Sequence, residues 1–118
     1  MSYSLSTALQ DLFGSKAAEA VLLSLFHDGE SYGRAIARDF AVSLDAVQRQ
    51  LDRFETSGTL VCKRQGRTLV YSWNPKSRLA ARLRDLTGVV YDGLSPEAKQ
   101  ALFPERRQPR AKDKPVIR

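Results

Sequence analysis

The sequence predicts a mainly α-helical domain that carries one small β-hairpin. Apolar residues recur at steps of three and four through most of residues 6–57, which is the spacing of buried helix faces. Between residues 60 and 73 the period changes to two, and the residues are rich in the β-branched and aromatic types that favour strands. From residue 77 to residue 91 the helical spacing returns.

Length and composition set the broad class. The 118 residues fit one domain with a modest core, and 42% apolar with 27% charged residues is ordinary for a soluble globular protein. No apolar run approaches the roughly 18 residues of a membrane span, and the first residues lack the pattern of a secretory signal. A single cysteine, Cys62, permits no internal disulfide. We therefore expect a cytoplasmic protein.

The net charge of +6 is unevenly distributed. Residues 104–118 hold six basic and two acidic residues, a net charge of +4, and residues 31–74 hold seven basic and four acidic residues, a net charge of +3. The prolines and charges of residues 104–118 predict a disordered basic tail after a domain at residues 1–103. Such a tail either keeps the chain soluble or adds nonspecific contacts to DNA phosphates.

Two helices are predicted before residue 30. The first, residues 6–13, ends at Gly14, because glycine readily takes the left-handed conformation of a helix C-cap. Ser15 is a candidate N-cap for the second helix, whose apolar face is broken at residues 27–30.

The next two helices are separated by a very short turn. Ser31 is a candidate N-cap for a short helix from Gly33 to Phe40. Ser43 is a candidate N-cap for a longer helix, Leu44 to about Ser57, which ends at Gly58. A short helix, a turn of three residues and a longer helix together predict a helix-turn-helix.

A hairpin and two further helices complete the domain. Residues 60–64 and 68–73 form the predicted strands, joined through Gln65-Gly66-Arg67. Helices are expected at residues 77–91 and at residues 95–103.

The longer helix of the helix-turn-helix has a polar outer face. With Val47 turned to the core, a rotation of about 100° per residue places this face opposite. Glutamine can pair with adenine and arginine with guanine in the major groove, and Ser43 with the first-turn amides could hold a phosphate. A polar stripe is also typical of a solvated helix, but the basic hairpin that follows favours DNA contact. The outer face carries Asp45, Gln48, Arg49, Asp52 and Arg53.

These segments, taken in order, resemble winged helix-turn-helix regulators of the ArsR-like type. The resemblance covers roughly residues 6–91 and is closest to the compact winged-helix domains that elsewhere precede a nucleotidyltransferase domain. It implies a regulator that binds double-stranded DNA, most often a repressor that binds an inverted repeat as a homodimer. The segments that carry it are LFGSKAAEAVLLSLF, GRAIARDFAVSLDAVQRQLDRFETSGTL, VCKRQGRTLVYSWNP and LAARLRDL.

The resemblance also implies roles for particular residues. The predicted DNA-binding set comes from the recognition helix and from the hairpin, or wing: Ser43, Asp45, Gln48, Arg49, Arg53, Lys63, Arg64, Gln65 and Arg67. The family usually dimerises through its first and last helices, although part of this apolar stripe must serve the chain's own core. The predicted dimerisation set is Leu5, Leu9, Leu12, Leu79, Leu83, Leu86 and Val90.

The sequence departs from the metal-sensing members of that family. They use paired cysteines or Asp/His sets on the last helix, where this chain has Asp85 and Asp92 but no histidine. One cysteine and one histidine cannot build a zinc or soft-metal site within a chain. We therefore expect no metal and no cofactor.

Two further functions compete with DNA binding. An enzyme is disfavoured, because the chain has one histidine, His27, expected on the surface, and lacks a glycine-rich phosphate loop. A protein-interaction module remains the alternative, in which the wing would meet an acidic partner. Cys62 is expected to be a small apolar strand residue; a redox switch is the other interpretation, since Lys63 and Arg64 adjoin it.

Overall fold

The computed structural model describes residues 6–103, which form six α-helices and three β-strands. The predicted tail and the predicted dimer residue Leu5 lie outside the described residues. The elements are, in order, α1 Ala8–Phe13, α2 Lys16–Asp28, β1 Glu30–Tyr32, α3 Gly33–Phe40, α4 Leu44–Thr56, β2 Leu60–Gln65, β3 Thr68–Trp73, α5 Arg78–Asp92 and α6 Pro96–Leu102.

Serine or threonine hydroxyls cap the N-termini of most of the helices. The predicted caps Ser15 and Ser43 are confirmed, and Ser95 caps α6 in the same way, since each hydroxyl accepts a hydrogen bond from the amide three residues ahead at 3.1 Å. Such a cap contributes about 1 kcal/mol to stability.

The predicted cap at Ser31 is wrong. This residue lies in β1, and α3 begins after Tyr32, whose side chain makes no capping hydrogen bond. β1 pairs antiparallel with β3, so that Ser31 lies opposite Tyr71. A strand of three residues cannot be stable alone, and β1 therefore depends on a partner some 40 residues away in the sequence.

The three strands form one antiparallel sheet in the order β1-β3-β2. β2 and β3 are the predicted hairpin, closed by Gly66 and Arg67, because Gln65 still pairs with Thr68. Gly66 has a φ of 64°, a conformation that glycine adopts without a steric penalty.

Helix α2 is the centre of the core. Its residues 17–25 are all buried, and α1, α3, α4, α5 and the sheet surround it. The indole Nε1 of Trp73 donates to the carbonyl oxygen of Leu25 at 3.1 Å, which joins the sheet to α2. The carboxylate of Glu19, 1% exposed, accepts from the backbone amide and the hydroxyl of Thr7 and so fixes the start of α1.

Helix α5 approaches α2 closely at Gly88. A Cβ atom there would lie 2.8 Å from Cε1 of Phe26, so a larger residue would push the two helices apart. Through residues 6–103, no helix combines the length and the hydropathy that a membrane span requires.

Candidate nucleic-acid interface

The helix-turn-helix consists of α3, a three-residue turn and α4. Ala41 ends α3 in the left-handed conformation, with a φ of 56°, and the amide of Val42 donates to the carbonyl of Ala37 at 3.1 Å. Two consecutive helices can turn this sharply only because their facing side chains pack together. Those side chains are the buried Ile36, Phe40, Val47 and Leu51.

The predicted rotation of α4 is confirmed. Val47 and Leu51 have no exposed surface, so the opposite side of the helix faces solvent. Ser43 and Asp45 at the start of α4 are exposed, as are Arg49, Asp52 and Arg53 further along.

Gln48 is held within the fold. It is half-buried, and its amide nitrogen Nε2 donates to the hydroxyl of Tyr71 at 3.0 Å and to Oδ1 of Asp52 at 3.1 Å. Tyr71 is 2% exposed, and this burial raises the pKa of its hydroxyl to about 12. A contact between Gln48 and a base would therefore require these hydrogen bonds to break.

The tip of the wing lies beside the start of the helix-turn-helix. A cleft of about 240 Å³ is bordered by Arg67 of the wing, by Arg34 and by Leu44. The exposed wing residues Lys63, Arg64 and Gln65 precede the tip on β2. The structure thus gathers the wing and the first turns of α3 and α4 on one side of the molecule.

Two placements differ from a simple clustering of the predicted residues. Arg53 does not border this cleft; it lies near the end of α4, beside Leu79 and Arg82 of α5. Arg34, absent from the predicted set, does border it. A cation in the first turn of a helix opposes the helix dipole, and this unusual position of Arg34 is the signal from which the sequence could have identified it.

The basic side chains of this surface form no ion pairs with acidic residues in the described part of the chain. Within residues 6–103, ion pairs join Arg38 to Asp39 at 3.1 Å and Arg82 to Asp85 at 3.3 Å, and His27 approaches Asp28 at 3.7 Å. In the same residues, no carboxylate lies within ion-pair distance of any of the following: Arg34, Arg49, Lys63, Arg64 and Arg67. Asp52 pairs with Gln48 rather than with the arginines on either side of it.

A second exposed surface is apolar and is formed by α1 and α5. Leu12 is 64% exposed, Leu79 is 61% exposed and Leu86 is 40% exposed, so three residues of the predicted dimerisation set reach solvent. Leu9 has no exposed surface and lies in the chain's own core, while Leu83 and Val90 are half-buried. Val89, 72% exposed, extends this surface and was not predicted.

A groove of about 470 Å³ adjoins the apolar surface. It lies between α1, α4 and α5, with Phe13, Phe54 and Leu83 along its walls. We call the exposed residues Leu12, Leu79, Leu86 and Val89 the apolar stripe.

Cys62 and His27 both pack against neighbouring side chains of the domain. Cys62 is half-buried on β2 opposite Tyr71. His27 belongs to the last turn of α2 rather than to a loop; its ring stacks on Phe103 with centroids 4.1 Å apart, and Nδ1 lies 2.8 Å from the hydroxyl of Tyr91. Among the described residues, no three His, Cys, Asp or Glu side chains are grouped to hold a metal ion.

Comparison with known proteins identifies the fold. No protein-family model and no curated protein matches the chain. Solved structures do: YusO from Bacillus subtilis has a TM-score of 0.55 at 18% identity, covering 75% of this chain and 71% of that one. The antimony-specific transcriptional repressor AntR has a TM-score of 0.53 at 20% identity, covering 79% and 78%.

A third similar structure is reduced AbfR bound to DNA, with a TM-score of 0.53 at 20% identity, covering 75% of this chain and 65% of that one. These likenesses and the helix-turn-helix followed by a hairpin define the class of fold: the chain is a winged helix-turn-helix domain. The fold predicted from the sequence is confirmed.

Proposed function

We propose that the chain is a sequence-specific, double-stranded DNA-binding transcriptional regulator. The observation that carries this proposal is a pair of cations, Arg34 at the start of α3 and Arg67 at the wing, which border one cleft with the start of α4 and have no ion-pair partner among the described residues. Cations without acidic partners create a positive potential that attracts a polyanion such as DNA. The winged helix-turn-helix fold, which AbfR has in its structure with DNA, supports the same partner.

In the proposed complex, α4 lies in the major groove. Arg49, exposed in the middle of the helix, is placed to donate to the acceptor edge of guanine. Ser43 and the first amides of α4 meet a phosphate at the helix N-terminus. These contacts combine one reader of base identity with one anchor that fixes the depth of the helix.

The wing supplies contacts to the DNA backbone. Lys63, Arg64 and Arg67 are exposed, and Gln65 adjoins them on the same hairpin. Arg34 borders the same cleft as Arg67, so we assign it to the same strand of phosphates. Contacts of this kind position the protein on DNA but carry little sequence information.

We further propose that two copies act together through the apolar stripe. Four large apolar side chains exposed on neighbouring helices are costly in water, and a second copy would cover them. A two-fold symmetric dimer places its recognition helices about 34–36 Å apart and so favours an inverted repeat. A dimer seated on a promoter blocks polymerase, and we therefore propose repression.

The deciding experiment is a selection of bound sequences from a random duplex pool, using the full chain. We expect an enriched inverted repeat, and we expect binding to weaken steeply as salt rises, because displaced counterions drive the association. A titration with nonspecific competitor DNA accompanies the selection. Failure to enrich any sequence, with no salt-dependent binding to duplex DNA, would reject the proposal and favour a protein-interaction module.

A further inference from the structure

The hydroxyl of Tyr71 connects the sheet to the recognition helix. Tyr71 lies on the central strand β3, where it pairs with Ser31 on one side and Cys62 on the other. Its side chain is 2% exposed, and its hydroxyl meets Nε2 of Gln48 at 3.0 Å. A tyrosine fixed by two neighbouring strands is a rigid support for whatever its hydroxyl holds.

Gln48 connects Tyr71 to the outer face of α4 through two hydrogen bonds. A primary amide nitrogen has two hydrogens, and in Gln48 they are directed to Tyr71 and to Oδ1 of Asp52, the latter at 3.1 Å. The amide oxygen of Gln48 lies beside Gly33: a Cβ atom added to that glycine would be 3.1 Å from the oxygen. Gln48 is thus held by two hydrogen bonds within the chain, and its amide nitrogen is not free to read adenine.

Asp52 is the exposed end of this chain of hydrogen bonds. Its carboxylate has a second oxygen, and no basic side chain of the described residues lies within ion-pair distance of it. In the major groove a carboxylate accepts a hydrogen bond from the amino group of cytosine, and no other base offers an isolated donor there without an adjacent acceptor.

We infer that Tyr71 is a positioning residue for base readout: through Gln48 it orients Asp52, which accepts from a cytosine amino group in the major groove. This inference rests on the proposed function and refines it. Arg49 and Asp52 are about one helical turn apart on the same face, so the helix reads two positions with side chains of opposite charge. Gln48 links Asp52 to the sheet.

The test measures the base preference of the wild-type chain and of five variants. After the preferred duplex is known, each of its positions is replaced in turn by the other three bases, and binding is measured by competition. Asp52→Asn is expected to reduce the preference for cytosine at one position by about tenfold, since a neutral amide replaces the charged acceptor. Tyr71→Phe is expected to reduce the preference at that same position by about threefold or more.

Controls separate positioning from a general loss of structure. Tyr91→Phe also removes a tyrosine hydroxyl that has a hydrogen-bond partner, but this partner is His27 of α2 and not a residue of α4. This variant should retain the wild-type preference at every position. The double variant Tyr71→Phe/Asp52→Asn should lose no more preference than Asp52→Asn alone, because both changes interrupt one path. If Tyr71→Phe fails to fold, Gln48→Ala interrupts the path instead.

The inference is overturned if Tyr71→Phe and Gln48→Ala leave every base preference unchanged, or weaken binding to all duplexes equally. It is also overturned if Asp52→Asn changes no preference. These outcomes differ from a failure of the proposed function, in which the wild-type chain itself would not distinguish one duplex from another.

Discussion

The two exposed surfaces described above differ in chemistry: one is charged and the other is apolar. The side formed by α4 and the wing carries cations that no carboxylate of the described residues neutralises, whereas the apolar stripe on α1 and α5 carries four large hydrophobic side chains. A cation in water is well solvated and costs little, but exposed apolar area costs about 25 cal/mol per Å². We therefore expect a salt-sensitive partner for the first surface and a lasting, salt-insensitive partner for the second.

The difference also separates recognition from assembly. In the proposed complex, the charged surface would select the DNA sequence, and the apolar stripe would set how many recognition helices bind at once. If this division is correct, substitutions on one surface should leave the other property intact. The first of the next three predictions tests the apolar stripe, and the other two test the charged surface.

The largest effect is expected from Leu79→Asp, which places a charge in the apolar stripe. We expect the chain to become monomeric and its affinity for the full inverted repeat to fall by about 100-fold, because linked binding of two half-sites is lost. Affinity for a single half-site should not change. Light scattering and duplex titration measure the two quantities.

Ala81→Asp is the matched control, since it adds the same charge to an exposed position of the same helix outside the stripe. It should remain dimeric and bind normally. A wild-type chain that is already monomeric, or a dimeric Leu79→Asp variant, would contradict the role of the stripe.

The next effect in size is expected from Arg49→Ala. Loss of a paired arginine–guanine contact typically costs about 1–3 kcal/mol, so affinity for the preferred sequence should fall by about 10–100-fold. Binding to unrelated duplexes should change much less. Arg84→Ala removes an exposed arginine from α5 and should behave as wild type in the same titrations. Equal losses on all sequences would show that Arg49 contacts phosphate instead.

A smaller effect is expected from Arg67→Ala at the wing. We expect a loss of a few fold on every duplex, and a slope of log K against log salt that is reduced in magnitude by about 1, as one phosphate contact is removed. Arg34→Ala should give the same result, because Arg34 borders the same cleft. Lys76→Ala, at an exposed position after β3, is the control. An unchanged salt slope in both arginine variants would contradict the proposed backbone contacts.

Local chemistry explains which parts of the fold could be predicted from the sequence. Ser15, Ser43 and Ser95 cap the helices that follow them, and Gly66 closes the hairpin, because each acts on residues within a few positions of itself. The sequence did not predict β1, because the stability of this strand depends on pairing with distant residues of β3.

The candidate site shows the same limit. The helical periodicity correctly predicted that Val47 faces the core and that Arg49 faces solvent. Periodicity gives the direction of a Cβ atom, however, and not the conformation of a long side chain. Gln48 bends to Tyr71, 23 positions further along the chain. Arg34 and Arg67 border one cleft only because β1 and β3 bring their segments together, a pairing that no local pattern reveals.

The last prediction concerns stability rather than DNA binding, and it involves Tyr71, which lies in the core. Burial raises the pKa of its hydroxyl from 10.0 to about 12, so the folded state retains a proton that the unfolded chain releases at lower pH. The contribution of this group to stability is fully present below pH 10 and is lost as the pH rises toward 12, by at most about 1.4 kcal/mol per pH unit. Denaturant titrations of the wild-type chain and of Tyr71→Phe at several alkaline pH values measure this loss. The free energy of unfolding should decline less steeply in the variant, because phenylalanine has no proton to release, and parallel declines would show that the hydroxyl ionises as readily in the fold as in water.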